Sequence, residues 1–315
     1  MGIDSKTKAF LDNLAATGTR AFHQLSPEEN RVAMRKIVPG VTIPSQSVSS
    51  VKEQLIPVKD GEIKVRIYTP EGEGIFPVLV YFHGGGFVFG DLEMVDAPLR
   101  AITNAARCIV VSVDYRLAPE HPFPTAAEDA YAAVKWAAEE AHSFGGDTRR
   151  IAVAGDSAGG CLAAVVCLMA QEQSGPSISF QALLYPCTDF SSDYPSRHQF
   201  AEGYFLSQGD MKYFEKHYFR SEKEKKSIYA TPLLADNLNG LPDALVVTAG
   251  YDPLRDEGEA YANRLKDAGV KVKYHCYDDT IHGFFILGGV LDQGKELIEE
   301  VSSSLKTVFS LTYLK

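Results

Sequence analysis

Apolar residues along this chain follow two rhythms. From residue 51 onward, short runs rich in Val, Ile, Phe and Tyr predict strands over 51–58, 63–68, 78–83, 108–114, 151–155, 179–185, 244–250 and 272–277. Several, such as VLVYF and CIVVSV, are apolar without alternation, which is the pattern of strands covered on both faces of a parallel sheet. Between them, helical periodicity predicts helices over 125–141, 158–173 and 256–268, the last stopped by Gly269. Strands alternating with helices imply an α/β fold with a mostly parallel sheet and right-handed crossovers. No internal repeat or low-complexity tract interrupts it.

Two segments break that alternation. Residues 1–45 read as amphipathic helices, with Phe10, Leu11 and Leu14 on one face. Residues 190–228 are rich in aromatics, including Tyr194, Phe200, Tyr204, Phe205, Tyr213, Phe214, Tyr218 and Phe219. Ser207 followed by Asp210 has the form of a helix N-cap, after which Met211, Phe214 and Tyr218 share one face. That apolar face has two readings. It is ordinary core packing, or it is a helical cap over a cleft that takes an apolar ligand.

Composition narrows the class. The chain has 315 residues, 45% of them hydrophobic and 23% charged, enough apolar content for a packed core. Lys and Arg total 31 against 41 Asp and Glu, a net charge of -10, and no basic block appears, so nucleic acid is not an expected partner. The N-terminus lacks a signal-like apolar run, and Lys6 replaces the Ser or Thr of a myristoylation motif. The longest apolar stretch, 151–170, carries Asp156 and three glycines and is not a membrane span. Cys108, Cys161, Cys167, Cys187 and Cys276 lie in apolar segments without a CxxC pair, as buried thiols of a reducing compartment do. A cytoplasmic protein without a metal is expected.

The chemistry concentrates at IAVAGDSAGGCLAAVVCLMA. A predicted strand runs into Gly155-Asp156-Ser157-Ala158-Gly159 and directly into a helix, the strand–turn–helix setting of a nucleophile elbow. Flanking glycines are needed because a side chain there would collide with the neighbouring strand and helix. The order G-x-x-x-G-G departs from the dinucleotide fingerprint, and no phosphate loop occurs, so no nucleotide cofactor is expected. A second motif, His83-Gly84-Gly85-Gly86, directly follows an apolar strand. Alone, it is a flexible turn. Beside a reactive serine it suits an oxyanion loop, with N–H donors from Gly85, Gly86 and Ala158, and with Gly84 still open and His83 in support.

A serine nucleophile needs a base, and the base an orienting acid. Of eight histidines, His282 lies in a loop at the C-terminal end of the last predicted strand, whereas His275 alternates with lysines on its polar face. Asp252 occupies a strand end too, with Asp256 as fallback and Asp278 and Asp279 close to His282 in sequence. The order Ser157, Asp252, His282 is that of the α/β-hydrolases.

Taken together, FHGGGFVFGD (82–91), VDYRLAPEHPFPTAAEDAYAAVKW (113–136), GDSAGG (155–160), DPLRDEGEAYANRL (252–265) and IHGF (281–284) resemble the hormone-sensitive-lipase-like carboxylesterases, the bacterial family IV of the α/β-hydrolases. The resemblance implies an α/β-hydrolase fold with an eight-stranded, mostly parallel sheet over 46–189 and 229–315, and a helical cap made of 1–45 and 190–228. It implies Ser157 as nucleophile, His282 as base, Asp252 as acid, and Gly85, Gly86 and Ala158 as the oxyanion hole, with Asp156, Tyr115, Arg116, Pro119 and Glu120 structural. Phe87, Tyr204, Phe205 and Phe214 are the expected substrate contacts. The expected activity is hydrolysis of short- to medium-chain carboxylic esters, with a small-molecule ester as partner, no cofactor, no membrane, and a homodimer as a frequent family assembly. An amidase, deacetylase or lipase would use the same triad, and a non-catalytic binding fold would have lost part of it.

Overall fold

In a computed structural model, which describes residues 2–312, the eight predicted strands form one sheet. They are β1 (Ser50–Val58), β2 (Gly61–Thr69), β3 (Phe76–Phe82), β4 (Ile109–Asp114), β5 (Gly146–Asp156), β6 (Phe180–Leu184), β7 (Asp243–Tyr251) and β8 (Val272–Ile281), in the order β1-β2-β4-β3-β5-β6-β7-β8. The pairs β1–β2 and β2–β4 are antiparallel, and all others are parallel. Central strands are buried on both faces because side chains alternate between two cores. From β3, Val78, Val80 and Phe82 face one core and Leu79 and Tyr81 the other.

The first core is closed by α4 (Thr125–Glu140), α5 (Ala158–Glu172) and α8 (Arg255–Asp267); the second by α3 (Asp96–Ala106) and α9 (Asp292–Thr312). The predicted helices correspond to α4, α5 and α8 within a residue or two at their ends, and Gly269 adopts φ 81° behind α8. Helices α3 and α9 escape the sequence pattern for physical reasons. The former starts at Val95 without a capping side chain and contains Pro98. Ser302–Ser304 and Ser310 lower the helical signal of α9, whose Leu297, Val301 and Leu305 nevertheless face the core fully buried. Strand β5 begins five residues earlier than the apolar run, through the polar stretch Gly146–Arg150, because Gly146 is the register partner of Phe76. Strand β8 continues to Ile281 because pairing resumes at Tyr251↔Ile281 after a register shift.

The two misfit segments contribute α1 (Ser5–Ala16) with α2 (Pro27–Val41), and α6 (Pro195–Gln199) with α7 (Gln208–Tyr218). Asp4 caps α1, Ser26 and Glu29 form a capping box on α2, and Ser207 with Asp210 form the expected one on α7. A side chain of α2 ties it to the core. The Arg31 guanidinium donates to the Val88 and Ala118 carbonyls at 2.9 Å each and pairs bidentately with Glu120 at 2.8 and 2.7 Å. This pairing holds the Glu120 carboxyl down at about 2, below its ordinary 4.5. The pin is therefore complete above about pH 4.5 and is lost as pH falls toward 2. Arg31→Ala is expected to raise amide hydrogen exchange across α2 at neutral pH while β3 to β7 stay protected, as measured by exchange mass spectrometry.

Candidate active site

Ser157 stands between β5 and α5 with φ 55° and ψ -117°, a conformation an L-residue adopts only under constraint. The constraint is packing. A Cβ on Gly159 would lie 1.9 Å from the Phe82 carbonyl oxygen, and one on Gly155 would lie 2.2 Å from the Gly159 oxygen. The turn is fastened by the Ser157 N–H donating to the Leu184 carbonyl at 2.8 Å. Its hydroxyl is thus projected away from the sheet and above the first turn of α5.

His282 and Asp252 reach that hydroxyl from the ends of β8 and β7. His282 Nε2 lies 2.8 Å from Ser157 Oγ, and its Nδ1 lies 2.7 Å from Asp252 Oδ2. The imidazole is 6% exposed and the carboxylate is fully buried. The other oxygen, Asp252 Oδ1, accepts the Leu254 N–H at 2.8 Å, which fixes the carboxylate plane toward the ring. Of the other acids considered from sequence, Asp278 is exposed and two are engaged elsewhere. Asp256 accepts from Arg255 Nε and the Ser196 N–H, and Asp279 accepts from Gln293. His275 is half-exposed and pairs with Glu300.

The glycine loop answers the question left open by sequence. The Gly84 N–H is already spent: it donates to Asp156 Oδ1 at 2.9 Å, and the Tyr81 hydroxyl donates to the same oxygen at 2.8 Å. Gly85 and Gly86 take φ 113° and φ 61°, and among the described residues none accepts from the N–H of Gly85, Gly86 or Ala158. Three donors near one hydroxyl are left without acceptors, the arrangement a developing oxyanion requires. His83 supports the loop from beneath, with Nδ1 2.7 Å from the Gly84 carbonyl, its ring stacked on Tyr115 at 4.4 Å, and its carbonyl accepting the Tyr115 hydroxyl at 2.7 Å. Burial pushes the Asp156 carboxyl up, against the hydrogen bonds from Tyr81 and Gly84. This brace fits the structural role that the resemblance implied for Asp156, a charged residue within an otherwise apolar run.

Above the serine lies a narrow cleft of about 80 Å³. Phe87, Phe205 and Phe214 line it, as expected, together with Met211 and Tyr218 from the face of α7. Tyr204 does not line it: the ring packs on Phe200 at 5.3 Å and Tyr251 at 5.4 Å, with Phe205, in a left-handed conformation at φ 72°, taking the inward position. Sequence reasoning missed Phe22, Met34, Phe89, Tyr185, Leu254 and Ile286, which also line the cleft. They belong to scattered elements, and nothing local distinguishes them from core residues. Among the described residues, no group of three or more His, Cys, Asp or Glu side chains could hold a metal, and no helix is long and apolar enough to cross a membrane.

This combination of sheet, elbow and facing imidazole defines an α/β-hydrolase. Sequence comparison agrees: residues 79–286 match the family described as alpha/beta hydrolase fold. The chain is 44% identical to the carboxylic ester hydrolase LipN of Mycobacterium tuberculosis, over 89% of this chain and 77% of that one. It is 34% identical to an arylesterase of Saccharolobus solfataricus, over 98% and 100%. Among solved structures, an ester hydrolase from the metagenome of Lake Arreo superposes with a TM-score of 0.94 at 43% identity, covering 98% of this chain and 99% of that one. A thermostable esterase from Pseudomonas putida gives a TM-score of 0.94 at 40% identity, covering 98% of each. The chain belongs to the α/β-hydrolase family, in the branch of these carboxylic ester hydrolases.

Gly159→Ala is expected to abolish folding, because the clash is with the Phe82 carbonyl, a backbone atom in the middle of the sheet. Loss of the cooperative thermal transition would report it. A soluble, cooperatively melting Gly159→Ala protein would contradict the packing argument.

Proposed function

We propose that this carboxylesterase hydrolyses small-molecule esters of short to medium acyl chains by a two-step acyl-enzyme mechanism. Ser157 is the nucleophile, His282 the general base and acid, and Asp252 the acid that orients it. The observation that carries the reading is the continuous line from Asp252 through His282 to Ser157, at 2.7 and 2.8 Å, facing three N–H groups without acceptors. His282 takes the Ser157 proton at Nε2 as Oγ attacks the ester carbonyl carbon. The carbonyl oxygen gains the negative charge and settles among the N–H groups of Gly85, Gly86 and Ala158. The last of these stands at the positive end of the α5 dipole. Asp252 stabilises the imidazolium, which then protonates the departing alcohol oxygen as the carbon–oxygen bond breaks. Water, deprotonated by His282, attacks the acyl-enzyme and returns the serine.

Residues 46–189 and 229–315 form the catalytic core in this reading, and 1–45 with 190–228 form its cap. The apolar side chains those segments place over Ser157 support that division. They also favour an ester without negative charge near the carbonyl, because an anion would lose hydration there and the lining carboxylate of Glu215 would repel it.

Ser157→Ala is expected to cut p-nitrophenyl butyrate hydrolysis by about a thousandfold or more with the fold intact, and Asp252→Asn by about a hundredfold or more. Wild-type and Ser157→Ala rates that coincide would refute the nucleophile assignment. Asp156→Ala is expected to lower kcat by about tenfold or more, because the Gly84 N–H then competes for other acceptors and the loop shifts. Asp156→Asn, which keeps Oδ1 as acceptor, is expected to recover most of that loss in the same assay.

A further inference from the structure

A second cavity adjoins the catalytic cleft. It holds about 880 Å³ between α1, α2 and residues 203–210, is open to solvent, and its walls include Leu11, Leu14, Ala33 and Val38. Four residues, Phe22, Met34, Phe205 and Ile286, line both cavities, so only the thickness of these side chains separates the two. The rings are in contact as a wall: Phe10 to Phe205 at 5.9 Å, Phe205 to Phe22 at 5.7 Å, and Phe22 to Phe89 at 4.9 Å. The wall stands on irregular backbone, with Phe22 in the three-residue turn Phe22–Gln24 and Phe205 at φ 72°. Polar pins hold the turn in place. Asn30 Nδ2 donates to the Phe22 carbonyl at 2.9 Å, and the His23 N–H donates to Asp210 Oδ1 of α7 at 2.9 Å. Phe205 also abuts the loop that carries His282, since a Cβ on Gly283 would lie 3.1 Å from its ring.

The second cavity is mostly apolar, with Arg20, Glu28, Glu29 and Lys36 also at its walls. Val32 and Ile37 of α2 are 46% and 43% exposed, and both line this chamber rather than a core. Burial of a linear alkyl chain there would remove that surface from water.

We propose that Phe22 and Phe205 are the residues that set chain-length specificity. They close the catalytic cleft against the second chamber, which is shaped to take one alkyl arm of a longer ester once the partition is thinned. The inference rests on the serine-esterase reading above. The arm is either the acyl chain or the alcohol chain, which share the same chemistry.

The test is kcat/KM for the full chain on two series, p-nitrophenyl esters from acetate to palmitate and acetates of linear alcohols from ethanol to decanol. Phe205→Ala is expected to raise the ratio of eight-carbon to two-carbon substrates about tenfold or more in one series, and the series that responds identifies the arm. Phe205→Leu and Phe22→Leu, which keep apolar bulk and guard against loss of the fold, are expected to move the ratio in the same direction by less. Adding Ala33→Trp, which fills the chamber from α2, is expected to return the ratio of Phe205→Ala toward wild type. Ratios within about twofold of wild type in both series, for variants whose thermal transition remains cooperative, overturn the partition. An increase that survives Ala33→Trp overturns the chamber as the destination of the arm. Ser157→Ala assayed alongside separates the two levels: if it equals wild type, the esterase mechanism falls, whereas a silent variant with unmoved Phe205 ratios leaves the mechanism standing.

Discussion

Phe82, Gly155 and Gly159 meet at distances that admit no side chain, and much of the site is a consequence. The ends of β3 and β5 are register partners at Phe82↔Gly155, and α5 begins immediately above that pair. Because Gly159 rests against the Phe82 carbonyl, the chain has no room to turn from strand to helix except through the constrained conformation of Ser157. The loop His83–Gly86 leaves β3 at the same level, so the glycine loop and Ser157 are brought together by sheet register rather than by side-chain contacts. Asp156 then locks the two, one carboxylate oxygen holding both Gly84 and Tyr81.

That rigid floor contrasts with what lies over it. The segments above Ser157 take no part in the sheet and are held by side-chain networks. Arg31 fastens α2, and Arg197 fastens the start of the aromatic segment to Glu257 of α8. Glu257 is fully buried and also accepts the Thr188 and Asp189 N–H groups, at 2.8 and 3.2 Å. Burial pushes its carboxyl up to about 7 even though Arg197 draws it the other way. Such a buried pair costs desolvation and contributes a fixed geometry instead of bulk stability. Ser157, Asp252 and His282 thus sit on strand ends, and the aromatic side chains over them sit on a layer outside the sheet.

Phe205, Phe214 and Met211 give the cleft beside Ser157 apolar walls, so in the proposed mechanism the three N–H dipoles would act in a low-dielectric surrounding. The same walls define what fits. Phe214 presses so close to Gly86 that a Cβ there would lie 2.3 Å from its ring, which joins the oxyanion loop sterically to the helix above it.

Local sequence determined a large part of this protein. The eight predicted runs became the eight strands, Ser207 with Asp210 capped α7, and Ser157, Asp252 and His282 lie at strand ends within 2.7 and 2.8 Å of one another in line. These features are written in short-range terms: periodicity, caps, and the glycines that a tight turn needs. Tertiary structure decided the rest. That Gly84 is spent on Asp156, that Tyr204 packs away from the cleft while Phe205 enters it, and that Phe22 and Met34 of the N-terminal segment line the same cleft as Ser157 all depend on contacts between residues far apart in the chain. Helices α3 and α9 belong to the same class, since packing against the sheet outweighs their weak local propensity. A periodic pattern states which face of an element is buried, and only the assembled fold states against what.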